Sequence, residues 1–358
     1  MPSPLSGVTV IEVDGDLPIQ FCGRALSDLG ARVTKVEPVG GDPLRQEPPL
    51  TSGSTSSVVF DSLNRRKDFV VVDHGSAEGR AHLAELVSSC DVVIVAAGGA
   101  VSAAGAALQP RAVFAELEAV VRRSDGSPGR IEPLTRFHAS GSGSLFPVRN
   151  PELRPASAGR FIFDAMYGVA FAAAITTALV SRKTAPGDSG ATSVRFSTKA
   201  YGPWLEKMFI HRVALEGVDL RRTNHMYPYG GNLACRDGHI CIYIVEEHQW
   251  HNCVDMIGRP DWHADPRFGD GVARARHATV IQAALEEWCA AHTVDEVITA
   301  ARTADVPAGR VASPGGILER PGMRARGFVS DAPEGAVEIN TPFGRAWNFA
   351  MPVGADRS

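Results

Sequence analysis

The stretch GVTVIEVDGDLPIQFCGRALSDLGARVTKVEP, residues 7–38, decides the fold. GVTVIEV is short, rich in β-branched residues and bounded by Gly7 and by Asp14-Gly15-Asp16, which predicts a strand. PIQFCGRALSDLG, residues 18–30, carries apolar side chains at helical spacing and stops at Gly30, a residue suited to ending a helix. ARVTKVEP predicts a second strand. Strand, helix and strand in about thirty residues make a βαβ unit, with parallel strands and a right-handed crossover.

The pattern recurs downstream. DFVVVDH (68–74) predicts a strand, GRAHLAELVSSC (79–90) a helix, and DVVIVAAGG (91–99) an apolar strand buried on both faces. The expected fold class is therefore α/β, a Rossmann-like doubly wound parallel sheet. After the first strand the chain reads DGDLPIQ, so the G-x-G-x-x-G dinucleotide fingerprint is missing. Residues 125–160 read as loops, a helix runs from near Asp164 to about Lys183, and TSVRFST predicts a strand before a helix over 200–216. A second region opens with ACRDGHICIYIV, two short strands around Asp237-Gly238. Helices are expected over 248–258, 275–292 and 294–304, then a strand-like VPAGRVAS, and extended chain from about Arg320.

Composition narrows the function classes. The 358 residues are 44% hydrophobic and 21% charged, and 40 acids against 36 bases leave a net charge of −4. Bulk charge therefore does not suggest a nucleic-acid or anionic-membrane surface. Cys22, Cys90, Cys235, Cys241, Cys253 and Cys289 show neither C-x-x-C nor Cys/His metal spacing, so no metal site is expected and the thiols read as reduced. No basic segment followed by an apolar one opens the chain, and no run reaches the ~20 apolar residues of a membrane span. The expectation is a cytoplasmic protein.

Several stretches together resemble one family: LSGVTVIEV, LSDLGARVTKVEPVGGDPLR, LNRRKDFVVVD, CDVVIV, the Asp164 helix ending ALVSRKT, CRDGHICIYIVEEHQW, GRPDWHADPRF and VPAGRV…RARGF. The chain is similar to the family III CoA-transferases, the CaiB/BaiF group, which includes formyl-CoA and carnitine CoA-transferases and α-methylacyl-CoA racemases. The resemblance implies a large Rossmann-like domain of residues 1–215 plus 320–358, linkers at 216–227 and 316–319, and a small α/β domain at 228–315. It also implies an interlocked homodimer. Coenzyme A and a carboxylic acid would enter as substrates, with no prosthetic group.

By position alone, Asp164 reads as a helix N-cap or as a carboxylate held for chemistry. The resemblance implies the second, because transferases of the family carry their nucleophilic Asp four residues before a Gly, and Gly168 follows Asp164 at that spacing. Racemases of the family instead use the equivalent Asp with a His across the substrate α-carbon. His138, in EPLTRFHASG, is the histidine available, though it lies closer to Asp164 than the family pattern places it. Glu247 in IVEEHQW matches a supporting acid of the racemases and reads equally as a solvent-facing loop acid.

For CoA, whose phosphates need basic partners, Arg45 in GGDPLR is one candidate, and the resemblance points to Lys67, with Asn64, Arg65 and Arg66 beside it. Without it, RRK reads as a solvated turn. The loops VAAGGAVSAAG, VVRRSDGSPGR and APGDSGAT depart from the family pattern, and Arg122, Arg123 and Arg130 are candidates to compensate. Three readings follow: an acyl-CoA:carboxylate CoA-transferase working through an aspartyl intermediate, an acyl-CoA racemase, or a degenerate subunit that pairs with a paralogue. Tyr227, Tyr229, Trp250 and Trp262 are acyl-pocket or core aromatics.

Overall fold

The structure, a computed structural model, describes residues 3–13, 16–50, 56–97, 112–118, 161–184, 190–205, 229–331 and 337–339. His138, Arg122, Arg123, Arg130 and Tyr227 lie outside the described residues. Contacts divide the chain into one unit of Met1–Leu220 with Gly327–Ser358 and a second of Arg221–Arg326.

In the first unit, β1 (Thr9–Val13), β2 (Arg32–Glu37), β3 (Asp68–Val71), β4 (Val92–Ala96), β5 (Val113–Glu118) and β6 (Thr192–Ser197) form one sheet in the order β3-β2-β1-β4-β5-β6. Every pairing is parallel, as the repeated βαβ pattern requires. The helices are α1 (Leu17–Asp28), α2 (Val58–Asn64), α3 (Ala77–Ser88), α4 (Ile162–Thr184) and α5 (Thr198–Leu205). Gly30 ends α1 as expected: at φ 99° it lets its own N–H reach Ser27 and the Ala31 N–H reach Leu26.

Strand alternation sorts the core into two layers. Val10, Val92, Ile94, Val113 and Ala115 face α1 and α4. Ile11, Val13, Val36, Val93 and Val95 face α3 through Leu83 and Val87. Alternation also turns Glu12, a fully buried acid, toward α1. Helix α4 buries Phe163, Tyr167, Phe171, Ile175 and Leu179, one every four residues, and each contributes about 1.5–3 kcal/mol by leaving water. This helix is long and apolar enough to cross a membrane by length and composition. Half of that stretch is buried inside the unit, and Phe171, Ile175 and Leu179 join the core shared with α1 and the sheet.

In the second unit, β7 (Gly231–Cys235) and β8 (Gly238–Ile242) form the expected hairpin, and β9 (Ala308–Arg310) adds antiparallel to β8. Helices α6 (Glu247–Met256), α7 (Gly271–Arg276), α8 (Ala278–Ala290) and α9 (Val294–Thr303) enclose a core around Trp250, Trp262 and Phe268. Both tryptophans and Tyr229 belong to this core. Two readings need correction. The helix expected over 275–292 breaks at His277, whose ring Nδ1 lies 2.9 Å from the Ala273 carbonyl oxygen. The extended chain expected from Arg320 contains a short helix, Pro321–Ala325, started by a proline in its first turn.

Candidate active site

An open parallel sheet offers a crevice at the carboxyl ends of its strands, where the strand order reverses. Here the reversal falls between β1 and β4. Helix α1 starts at that edge because it follows β1, and α4 starts there because it links β5 to β6. Topology thus delivers Asp164, the third residue of α4, to the carboxyl edge. Its side chain is buried, at 4% exposure. The N-cap alternative fails on geometry, because the Phe161 carbonyl already accepts the Ala165 N–H at 2.9 Å and Asp164 lies inside the first turn. At that end of α4 the helix dipole favours negative charge.

Gly168 explains how the turn is held. A Cβ at this position would lie 2.4 Å from Phe21 Cβ, 2.6 Å from the Pro18 carbonyl oxygen and 2.9 Å from the Cys22 nitrogen. Only glycine lets α4 settle onto the first two turns of α1. Asp16 precedes α1 without a side-chain cap bond. Protein packed around its carboxyl, then Asp42, raises it above the usual carboxylate range, although solvent reaches the residue.

Beneath α1 lies a closed polar ring. The Lys67 ammonium donates to Glu12 Oε2 at 2.7 Å and to the Gln20 carbonyl at 3.0 Å. Glu12 Oε1 meets Lys35 Nζ at 3.3 Å, and Lys35 meets Asp42 Oδ2 at 2.8 Å. Gln20 Nε2 donates to the same Asp42 oxygen at 2.8 Å, closing the circuit. Asn64 Nδ2 adds a bond to Gln20 Oε1 at 2.8 Å. Burial outweighs Glu12 and pushes the Lys67 ammonium below the ordinary lysine range. Burial opposes charge on Lys35 too, but Glu12 and Asp42 overcome it and hold Lys35 above that range. Gly23 makes room, since a Cβ there would sit 1.8 Å from Glu12 Oε2.

The candidate CoA residues therefore separate by exposure. Lys67 and Asn64 are buried and turned into the protein. Arg45 and Arg66 keep side-chain exposures of 43% and 47% and present cationic surface. Arg45 forms a two-pronged bond to Glu37, both at 2.9 Å, and stacks 4.1 Å above the Phe60 ring. Arg66 lies 3.5 Å from Asp28, which also binds Arg24 at 2.7 Å. The readings from sequence missed Glu12, Lys35, Gln20 and Asp42. The available signal was a charge inside each of two apolar strands, and Glu12 and Lys35 are register partners across β1 and β2.

In the second unit, Glu247 opens α6 and is clamped by Arg274, with bonds of 2.8 and 2.6 Å. These hydrogen bonds hold its carboxyl below the usual glutamate range, which makes it a weak proton acceptor. Among the described residues no group of three His, Cys, Asp or Glu is placed to hold a metal ion.

The model of CoA-transferase family III matches residues 5–352. A formyl-CoA:oxalate CoA-transferase from Rhodopseudomonas palustris is 25% identical, the alignment covering 92% of this chain and 84% of the relative. A probable fatty acyl-CoA transferase, Rv3272 of Mycobacterium tuberculosis, is 26% identical over 95% of this chain and 97% of its own. The crystal structure of Rv3272 superposes with a TM-score of 0.78 at 23% identity, covering 95% of this chain and 92% of that one. A CaiB/BaiF family protein from Brucella suis gives 0.78 at 24%, covering 96% and 92%. These likenesses carry the fold.

Proposed function

The chain belongs to CoA-transferase family III and is an enzyme that transfers CoA; on that premise we propose that it moves CoA from an acyl-CoA to a carboxylic acid through intermediates on Asp164. The observation that carries this reading is the buried carboxylate in the first turn of α4, at the carboxyl edge of the sheet.

An Asp164 oxygen attacks the thioester carbon. The C–S bond breaks, CoA leaves as thiolate, and a mixed anhydride remains on the enzyme. The thiolate then attacks the aspartyl carbon, releasing the donor acid and leaving CoA in thioester linkage to Asp164. The acceptor carboxylate attacks that carbon and again displaces thiolate, forming a second anhydride. Thiolate attack on the acceptor's acyl carbon yields the new acyl-CoA and restores Asp164. Each tetrahedral oxyanion needs donors fixed in place, a task suited to N–H groups at a helix start. Arg45 and Arg66 supply cationic surface for CoA phosphates, with Arg123 a further candidate.

The protein is proposed to work in the cytoplasm as a homodimer, with the second unit inserted in the large domain and CoA entering only as substrate.

Asp164→Ala tests the mechanism. It is expected to lower exchange at least about 10⁴-fold while leaving the circular dichroism spectrum unchanged. Hydroxylamine trapping with mass spectrometry should find acyl or CoA adducts on Asp164 in the parent. Retained exchange in the variant refutes the nucleophile. Deuterium uptake at the substrate α-carbon without an acceptor acid would replace transfer with racemisation.

A further inference from the structure

Lys35, Asp42, Asn64 and Lys67 all lie in the stretches that carry the family resemblance, yet they meet one another rather than open solvent. Asp42, Asn64 and Lys67 share one partner, Gln20, which is 1% exposed and in the first turn of α1, while Lys35 joins them through Asp42 and Glu12. It is gripped at three points: its carbonyl by Lys67, its amide nitrogen by Asp42 and its amide oxygen by Asn64. The ring Gln20–Lys67–Glu12–Lys35–Asp42 joins β1, β2, α1 and the segments ahead of α2 and β3. It holds two acids and two lysines, so its formal charge cancels. The backbone Gln20 belongs to, from Pro18 to Cys22, is the surface on which Gly168 seats α4.

We infer that this ring is the positioning device of the nucleophile: Glu12 and Lys67 fix α1 through Gln20, and α1 in turn fixes the turn that carries Asp164. The inference rests on the Asp164 reading above. It gives Lys67 a task other than touching CoA, because its ammonium is fully enclosed and committed to Glu12 and Gln20. Charge cancellation makes the device stiff. Loss of one member leaves a buried charge without its partner, whereas loss of an opposite pair leaves the ring neutral.

The test uses the full chain with Lys67→Met, Glu12→Gln and the double variant. Three quantities are read: the single-turnover rate of Asp164 acylation, CoA affinity by calorimetry, and amide exchange over residues 17–23. Lys67→Met is expected to slow acylation about 10²-fold, the cost of displacing a reacting group by about 1 Å. CoA affinity should stay unchanged and exchange over 17–23 should accelerate. The double variant should regain much of the rate, because the two losses are coupled. Weakened CoA binding with a normal rate at saturating donor would overturn the inference, as would strictly additive effects. Should the parent never acylate at Asp164, the mechanism above falls. Exchange over 17–23 still decides the ring, and unaltered protection in Lys67→Met would refute it. If Lys67→Met does not fold, the double variant decides between slowed acylation and weakened CoA binding.

Discussion

Two arrangements of buried charge divide the molecule. In the first unit four charged side chains and Gln20 close a ring, with Lys67 and Glu12 at 0% side-chain exposure and Lys35 at 1%. In the second, Arg274 is almost equally enclosed at 6%, but its partner Glu247 is 54% exposed. The enclosed ring has no solvent to compensate a missing member, so its geometry is all or nothing. The half-open pair can lose its acid and let water take the place. Full enclosure therefore marks the frame of the fold, and partial exposure, as at Arg45 and Arg66, leaves a charge accessible from solvent.

The largest expected effect comes from breaking the ring. Lys35→Met leaves Asp42 and Glu12 short of a cation, and breaking a buried pair costs about 3–5 kcal/mol. Urea unfolding should show a drop of that order. A loss below about 1 kcal/mol, the range of exposed pairs, would erase the contrast between the two regions.

Glycines beside the two arrangements sharpen it further. Gly23→Ala in a helix interior would ordinarily stabilise by up to about 1 kcal/mol. Here the new methyl would strike Glu12 Oε2, and the sign should reverse to a loss of about 1–3 kcal/mol. At Gly271 a Cβ would meet only Arg274, at an ordinary 3.8 Å, so Gly271→Ala should change stability by less than about 0.5 kcal/mol. Equal effects at the two positions would show that the ring has room to give.

The same contrast explains what the sequence disclosed. The βαβ unit, a strand within 91–97, the Asp164 helix and the hairpin at Asp237-Gly238 follow from local periodicity and turn residues, and the structure contains them all. Lys67 was legible as a residue of consequence, but its direction was not. A basic RRK turn looks solvated until β2 and β3 come into register and carry Lys67 under α1. Glu12 and Lys35 were visible as charges in apolar strands, but their pairing exists only once β1 and β2 are aligned. Asp164 was placed through its spacing to Gly168. The reason for the spacing, backbone meeting backbone at Pro18–Cys22, is a tertiary fact.

The smallest effect belongs to the open pair. Arg274 hydrogen bonds hold the Glu247 carboxyl below its usual range. Its contribution to stability is therefore complete above the ordinary glutamate pKa of about 4.3 and is lost as pH falls through the lower folded value. Because solvent reaches Glu247, that contribution is about 1 kcal/mol. Glu247→Gln should lower stability by this amount at pH 7, and the gap between variant and parent should close on acidification below about pH 4. Parallel denaturant curves at pH 7, 5 and 3 measure it. A gap that persists at pH 3 would mean that shape rather than charge holds Glu247 to Arg274, and the open pair would then belong with the closed ring as part of the frame.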